Sequence, residues 1–127
     1  LDDLHYGIVV LQALMSNVRR AKNSAMVSLE QGGVFPFGYG VYIESSNSYL
    51  IFYNTDGALV YSGSSGVVET VSLSDQITIS PTGQSVFFVP PDPTTYINGV
   101  NSGSQSFTLT RGSQVKGVTV YSSGRIE

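Results

Sequence analysis

From Leu4 to Leu29 the apolar residues fall at Leu4, Ile8, Leu11, Leu14, Met15, Val18, Ala21, Ala25 and Leu29. Recurrence every three or four positions marks one face of a helix, so this stretch predicts an amphipathic helix of about seven turns. Asp2 and Asp3 suit its N-terminus through the helix dipole, and Gln31-Gly32-Gly33 is the stop signal. After Gly33 the period changes to two. Runs rich in β-branched and aromatic residues predict strands at Gly40–Glu44, Tyr49–Tyr53, Ala58–Tyr61, Val67–Leu73, Gln76–Ser80, Ser85–Val89, Gln105–Thr110 and Val115–Tyr121. Turn-formers separate them, among them Thr55-Asp56-Gly57, Pro81-Thr82-Gly83 and Arg111-Gly112-Ser113.

Strands this closely spaced and joined by short turns form antiparallel hairpins rather than crossovers through helices. The expected class is therefore α+β, an N-terminal amphipathic helix packed on one or two antiparallel sheets. Residues 1–127 make one domain, with a helical stem portion over 1–30 and a β-rich head over 34–127. Pro90-Pro91-Asp92-Pro93 through Gly103 is expected to be a surface loop, because proline cannot donate to a ladder. The final strand is expected to pair with Ser106–Thr110 across the Arg111–Ser113 turn.

Composition narrows the function classes. The chain has 127 residues, of which 41% are hydrophobic and 12% charged. It is too apolar to be disordered, yet carries about half the usual share of charge, so Ser, Thr, Asn, Gln and Gly must cover its surface. Neutral polar surfaces of that kind are common on secreted, cell-surface and filament-forming proteins. The net charge of −3 creates no field for nucleic acid or an anionic membrane. With no cysteine there are no disulfides, thiolate nucleophiles or zinc–cysteine sites. The longest apolar stretch, Gly7 to Met15, is interrupted by Gln12 and falls well short of the ~20 residues of a membrane span. Asp2 and Asp3 stand where a signal peptide would be basic.

No residue pattern points to catalysis or a cofactor, and the chain is expected not to be an enzyme. His5, the only histidine, lies beside two aspartates at a helix start, and no serine sits in a G-x-S-x-G elbow. Glu30, Glu44, Asp56, Glu69, Asp75 and Asp92 are spread over separate turns and strands, with no local pair for a glycosidase-type dyad. Asn54-Thr55-Asp56-Gly57 resembles the first half of an oxygen-rich calcium loop, which makes Asn54 and Asp56 candidate ligands. Asp-Gly between two strand-like runs is also the ordinary hairpin turn. Gly38 and Gly40 lead into a strand rather than a helix, so close backbone packing is expected of them, not phosphate binding. Arg19, Arg20 and Lys22 fan around the helix and are expected to be solvated or to form ion pairs between subunits.

The run from Ser16 to Ala25, with its R-x-x-A spacing before a strand domain, resembles prepilin-like proteins. Phe37-Gly38-Tyr39-Gly40-Val41-Tyr42-Ile43 followed by Tyr49-Leu50-Ile51-Phe52-Tyr53-Asn54 is similar to the first head hairpin of minor pseudopilins and minor pilins of the GspH/FimT class. Val118 through Ile126, with its Gly124-Arg125 ending, resembles the last strand and tail of that class. The resemblance implies a structural subunit of a type IV pilus, a type II secretion pseudopilus or a DNA-uptake filament. Its partners would be other pilin or pseudopilin subunits. It would be anchored in the bacterial inner membrane before assembly and then be periplasmic or extracellular. The family's processed phenylalanine, nearby glutamate and long apolar helix are not in this sequence, so the resemblance implies a soluble portion whose anchoring half-helix lies outside it. Stem contacts would come from Leu11, Met15, Val18, Arg19 and Arg20.

A second reading is an extracellular adhesin or carbohydrate-binding β module, with Tyr39, Tyr42, Tyr96, Tyr121 and the loop 90–104 as its contact surface. A third is DNA capture, implied by some minor pilins, for which Arg111, Lys116 and Arg125 are the available basic residues. On charge alone nucleic acid is not an expected partner.

Overall fold

Period-two patterning builds two antiparallel sheets. The computed structural model describes residues 13–23, 37–62, 65–73, 76–89 and 94–127. Its strands are β1 (Gly38–Ser45), β2 (Ser48–Asn54), β3 (Gly66–Ser72), β4 (Thr78–Ser80), β5 (Ser85–Val89), β6 (Thr94–Ile97), β7 (Ser104–Arg111) and β8 (Gln114–Tyr121). The first sheet runs in the order β3-β2-β1-β5-β6 and the second in the order β4-β7-β8. One helix, α1, is described over residues 13–23.

β1 is the centre of the larger sheet, and its alternation explains why both faces are buried. Tyr39, Val41 and Ile43 point into the principal core, where they meet Tyr49, Ile51, Val86 and Phe88 of the same sheet. Ile79, Phe107, Leu109, Val118 and Val120 of the second sheet close that core, together with Leu14, Val18 and Ala21 of α1. On the opposite face, Leu50, Phe52 and Phe87 form a second cluster, covered by Tyr42, Leu59, Tyr61, Val89 and Tyr96. Gly38 and Gly40 occupy the outward positions of β1 and leave room for the aromatic rings there. A Cβ at Gly40 would stand 2.7 Å from Phe52 Cζ, and one at Gly38 2.6 Å from Phe87 Cζ.

Three backbone hydrogen bonds meet at one corner, the first joining the two sheets and the other two extending the β1–β5 ladder. Ile79 N donates to Ser46 O, Gly83 N to Ile43 O and Ile43 N to Gln84 O, at 2.7, 2.8 and 3.0 Å. The β7–β8 hairpin pairs Phe107 with Val118 and Arg111 with Gln114, and Gly112 supplies the positive φ of 57° its turn requires. Beyond β8 the chain folds back. Thr119 and Glu127 exchange backbone hydrogen bonds of 2.7 and 2.9 Å, and a bridge joins Val120 to Ile126.

The expected α+β class, a pilin-like helix packed on one or two sheets, is overturned. Of the described residues 55% are strand and 12% helix, so the fold is β-rich, two antiparallel sheets with one short helix. The reason lies in the core. Its large buried side chains come mostly from strands, and α1 adds Leu14, Val18 and Ala21. Of the longer helix expected over Leu4 to Leu29, the parts before residue 13 and after residue 23 lie outside the described residues.

Two smaller expectations also change. Ala58–Tyr61 is a loop, not a strand, because its carbonyls bond to a side chain rather than to a neighbouring strand. The expected surface loop from Pro90 to Gly103 contains β6, which pairs with β5 from Val86↔Ile97 to Val89↔Thr94.

Candidate functional site

The seam between α1 and the sheets is built from helix periodicity. Leu14, Val18 and Ala21 recur at the spacing of one face and are wholly buried. Three polar contacts border them. Asn17 Nδ2 donates to Tyr49 Oη at 2.8 Å, Arg20 Nη1 meets Glu69 Oε1 at 2.8 Å, and Lys22 Nζ donates to the Gly124 carbonyl at 2.9 Å. The Arg20–Glu69 pair is roughly half exposed and adds little stability. Tyr49 is different. Burial pushes its phenol above the ordinary value of 10.0; the Asn17 hydrogen bond opposes that shift and the Glu69 charge adds to it.

This geometry divides the expected stem contacts. Val18 is buried in the head's own core, and Met15 packs against that core while remaining partly exposed. Arg20 is tied to Glu69. Arg19 is exposed, on a side of the helix it shares with exposed Ala13, Ser16 and Asn23. Leu11 lies outside the described residues.

The four tyrosines do not form one surface. Tyr39 and Tyr42 are three residues apart on one strand and so point to opposite faces. Tyr39 is buried in the principal core, whereas Tyr42 stacks on Tyr61 at 4.4 Å between ring centroids. Tyr96 packs beside Phe87 in the second cluster. Tyr121 is on the other sheet, its ring covered by the Arg125 guanidinium at 4.1 Å.

The loop proposed for calcium is closed by its own side chains. Asn54 is 1% exposed, and its Nδ2 donates to the Ala58 and Val60 carbonyls at 2.9 Å each. Its Oδ1 accepts from Ser65 Oγ. Asp56 Oδ1 accepts from Ala58 N at 3.1 Å, an Asx-turn. The carboxamide that would ligate a cation is thus already engaged as the organiser of the loop, which lays Leu59 and Tyr61 over the second cluster. Among the described residues no group of three His, Cys, Asp or Glu could hold a metal ion.

The three basic residues belong to one sheet but to both of its faces. Arg111 and Lys116 share the core-facing side with Leu109 and Val118, near the strand ends, while Arg125 lies over Tyr121 on the other. Arg111 Nη2 donates to Gln76 Oε1 at 2.7 Å, and Arg125 Nε pairs with Glu127 Oε2 at 3.3 Å.

Comparison with known families, curated proteins and solved structures gives no match to this chain. The site is therefore read from its own geometry. His5, Glu30, Asp75 and Asp92 lie outside the described residues. The other candidate carboxylates are held apart: Glu44 accepts from Ser48, Asp56 from Ala58, and Glu69 from Arg20. No described helix is long and apolar enough to cross a membrane.

Two features were not expected from sequence. The Lys22–Gly124 contact joins residues 102 positions apart, and nothing local announces it. The outward hydroxyls of β4, β7 and β8 are visible as Thr78-x-Ser80 and Thr108-x-Thr110, but strand register was needed to bring them side by side.

Proposed function

We propose that the chain is a non-enzymatic structural subunit of an exported filament of the type IV pilin or pseudopilin kind, polymerising through the segment that contains α1. Its partners in this reading are further subunits. Its path runs from the bacterial inner membrane to a periplasmic or extracellular fibre.

The observation that supports the reading is the two-sidedness of α1. A subunit that assembles through a helix needs one face bonded to its own head and another left for neighbours. Leu14, Val18 and Ala21 fill the first role, with Asn17, Arg20 and Lys22 bonded along its border. Ala13, Ser16, Arg19 and Asn23 are exposed and fit the second.

Because the chain lacks cysteine, the test is clean. Ser16→Cys and Arg19→Cys, expressed in the native host within the complete protein, should give subunit-to-subunit cross-links in the sheared surface fraction or in membrane-associated fibres. A protein that stays monomeric, without cross-links at either position, overturns the proposal.

A further inference from the structure

β4, β7 and β8 turn Ile79, Phe107, Leu109, Val118 and Val120 inward, so alternation sends the intervening residues outward. Those are mostly hydroxyls: Thr78, Ser80, Ser106, Thr108, Thr110 and Thr119. Register sets them side by side, Thr78 opposite Thr110, Ser80 opposite Thr108 and Ser106 opposite Thr119. The last pair is hydrogen-bonded through its side chains at 2.8 Å. Neighbouring strands lie ~4.8 Å apart and alternate residues ~6.7 Å apart, so the hydroxyls form a grid. At one end the returning tail sets Arg125 over Tyr121, with Glu127 paired to Arg125 at 3.3 Å.

The character of this face selects its partner. Its charged pair is mutually neutralised, leaving no field for a polyanion. A protein interface would place apolar and aromatic groups at the centre and be poor in serine, whereas the exposed apolar residue described here is Val115, at one end of β8. Each Ser or Thr hydroxyl donates once and accepts twice, as does each hydroxyl of a sugar. Strands hold these groups in place, so little ordering entropy opposes binding.

We propose that the outer face of the three-stranded sheet binds a neutral polysaccharide. This does not depend on filament assembly and is measured on the isolated chain. Nor does it rest on the row of tyrosines expected from sequence; Tyr121 and Arg125 only border the grid.

The experiment is retention of the purified chain on cellulose, chitin, starch, mannan and dextran, with alginate as the anionic comparison. The expected result is retention on at least one neutral polymer, undiminished in high salt. Replacing hydroxyls by methyls in Thr108→Val/Thr119→Val should weaken it about tenfold or more. Thr110→Lys, which adds an uncompensated charge, should weaken it as well. Val67→Thr on β3 should leave it unchanged. Using two independent variants, each with its melting temperature checked, separates loss of the face from loss of the fold. The proposal is overturned by no retention on any neutral polymer, by retention that survives both variants, by retention on alginate alone that salt abolishes, or by a dimer of the chain that the same variants dissociate.

Discussion

Phe52 pairs with Gly40 across the β1–β2 ladder and lays its ring over the glycine. Phe87 pairs with Gly40 from β5 and lays its ring over Gly38, and the two rings stack at 5.6 Å with an interplanar angle of 13°. Strand glycines have no side chain to pack, and a cross-strand aromatic fills the gap. Gly66 is covered in the same way by its partner Tyr53.

Gly40→Ala should therefore be among the more destabilising small substitutions in the head. Its Cβ would meet the Val86 carbonyl at 2.5 Å as well as the Phe52 ring, and backbone cannot swing aside as a side-chain tip can. A loss of about 2–3 kcal/mol is expected by urea denaturation. Gly57→Ala provides the contrast. Nothing lies within 4 Å of its Cβ and only the φ of 81° is unfavourable, so about 1 kcal/mol is expected. Equal losses at the two sites would show that crowding over Gly40 is relieved.

Asn54→Ala should release the loop that covers Tyr42 and Phe52. Three hydrogen bonds converge on this buried carboxamide, and removing it leaves the Ala58 and Val60 carbonyls unpaired. The expected loss is about 2–3 kcal/mol, with faster proteolysis between residues 55 and 62. Chelator should leave the melting temperature of the native protein unchanged. A chelator-induced drop, or a fully stable Asn54→Ala protein, would restore the metal reading of the loop.

The strands that sequence located well are those whose alternation meets a one-sided core. In β7 and β8, Phe107, Leu109, Val118 and Val120 alternate with polar residues. β6 was hidden because Thr94-Thr95-Tyr96-Ile97 follows three prolines that read as loop, and proline is tolerated just before an edge strand. Ala58–Tyr61 misled in the other direction. Its apolar residues are buried by a loop held on one asparagine, a long-range device that periodicity does not register. The fold class failed for a related reason: a helical period identifies a helix but not its share of the core. Among the tyrosines, the odd spacing of Tyr39 and Tyr42 places them on opposite faces of β1, with Tyr39 in the core. The hydroxyl grid needed pairings between residues up to 32 positions apart, as in Thr78↔Thr110.

Alkaline pH should loosen the α1 seam through Tyr49. The folded state holds the phenol proton more tightly than the unfolded chain, whose value is the ordinary 10.0. The corresponding stability is fully present below pH 10.0 and is lost as pH rises from there through the folded value. Tyr49→Phe should cost about 1 kcal/mol at neutral pH, where the Asn17 bond is lost. It should also fall less steeply than the native protein in alkali. Parallel stability curves for the two proteins above pH 10 would rule out this role.

The last prediction concerns the tail after Ser122, which serves the second sheet and the helix together. Arg125 and Glu127 bond to the outer edge of β8 through Tyr121 N, Thr119 N and Thr119 O, and Ile126 packs against the principal core. The Gly124 carbonyl accepts from Lys22 at the end of the described helix. Ending the chain at Ser122 would leave β8 as a free edge and Lys22 without that acceptor. Partial burial of one isoleucine and a few half-exposed hydrogen bonds give an expected loss of ~3 kcal/mol, a large part of the ~5–15 kcal/mol that holds a domain of this size. The diagnostic is where the loss is felt. Amide exchange should accelerate at Thr119 and Tyr121 and also in residues 18–22 of α1, more than 90 positions away in sequence. Lys22→Met in the full-length chain should accelerate exchange in the helix alone, since it removes the contact to Gly124 but leaves the β8 edge paired. If truncation loosens β8 and leaves α1 unchanged, the helix is held by Leu14, Val18 and Ala21 without the tail, and the Lys22 contact has no part in fastening it.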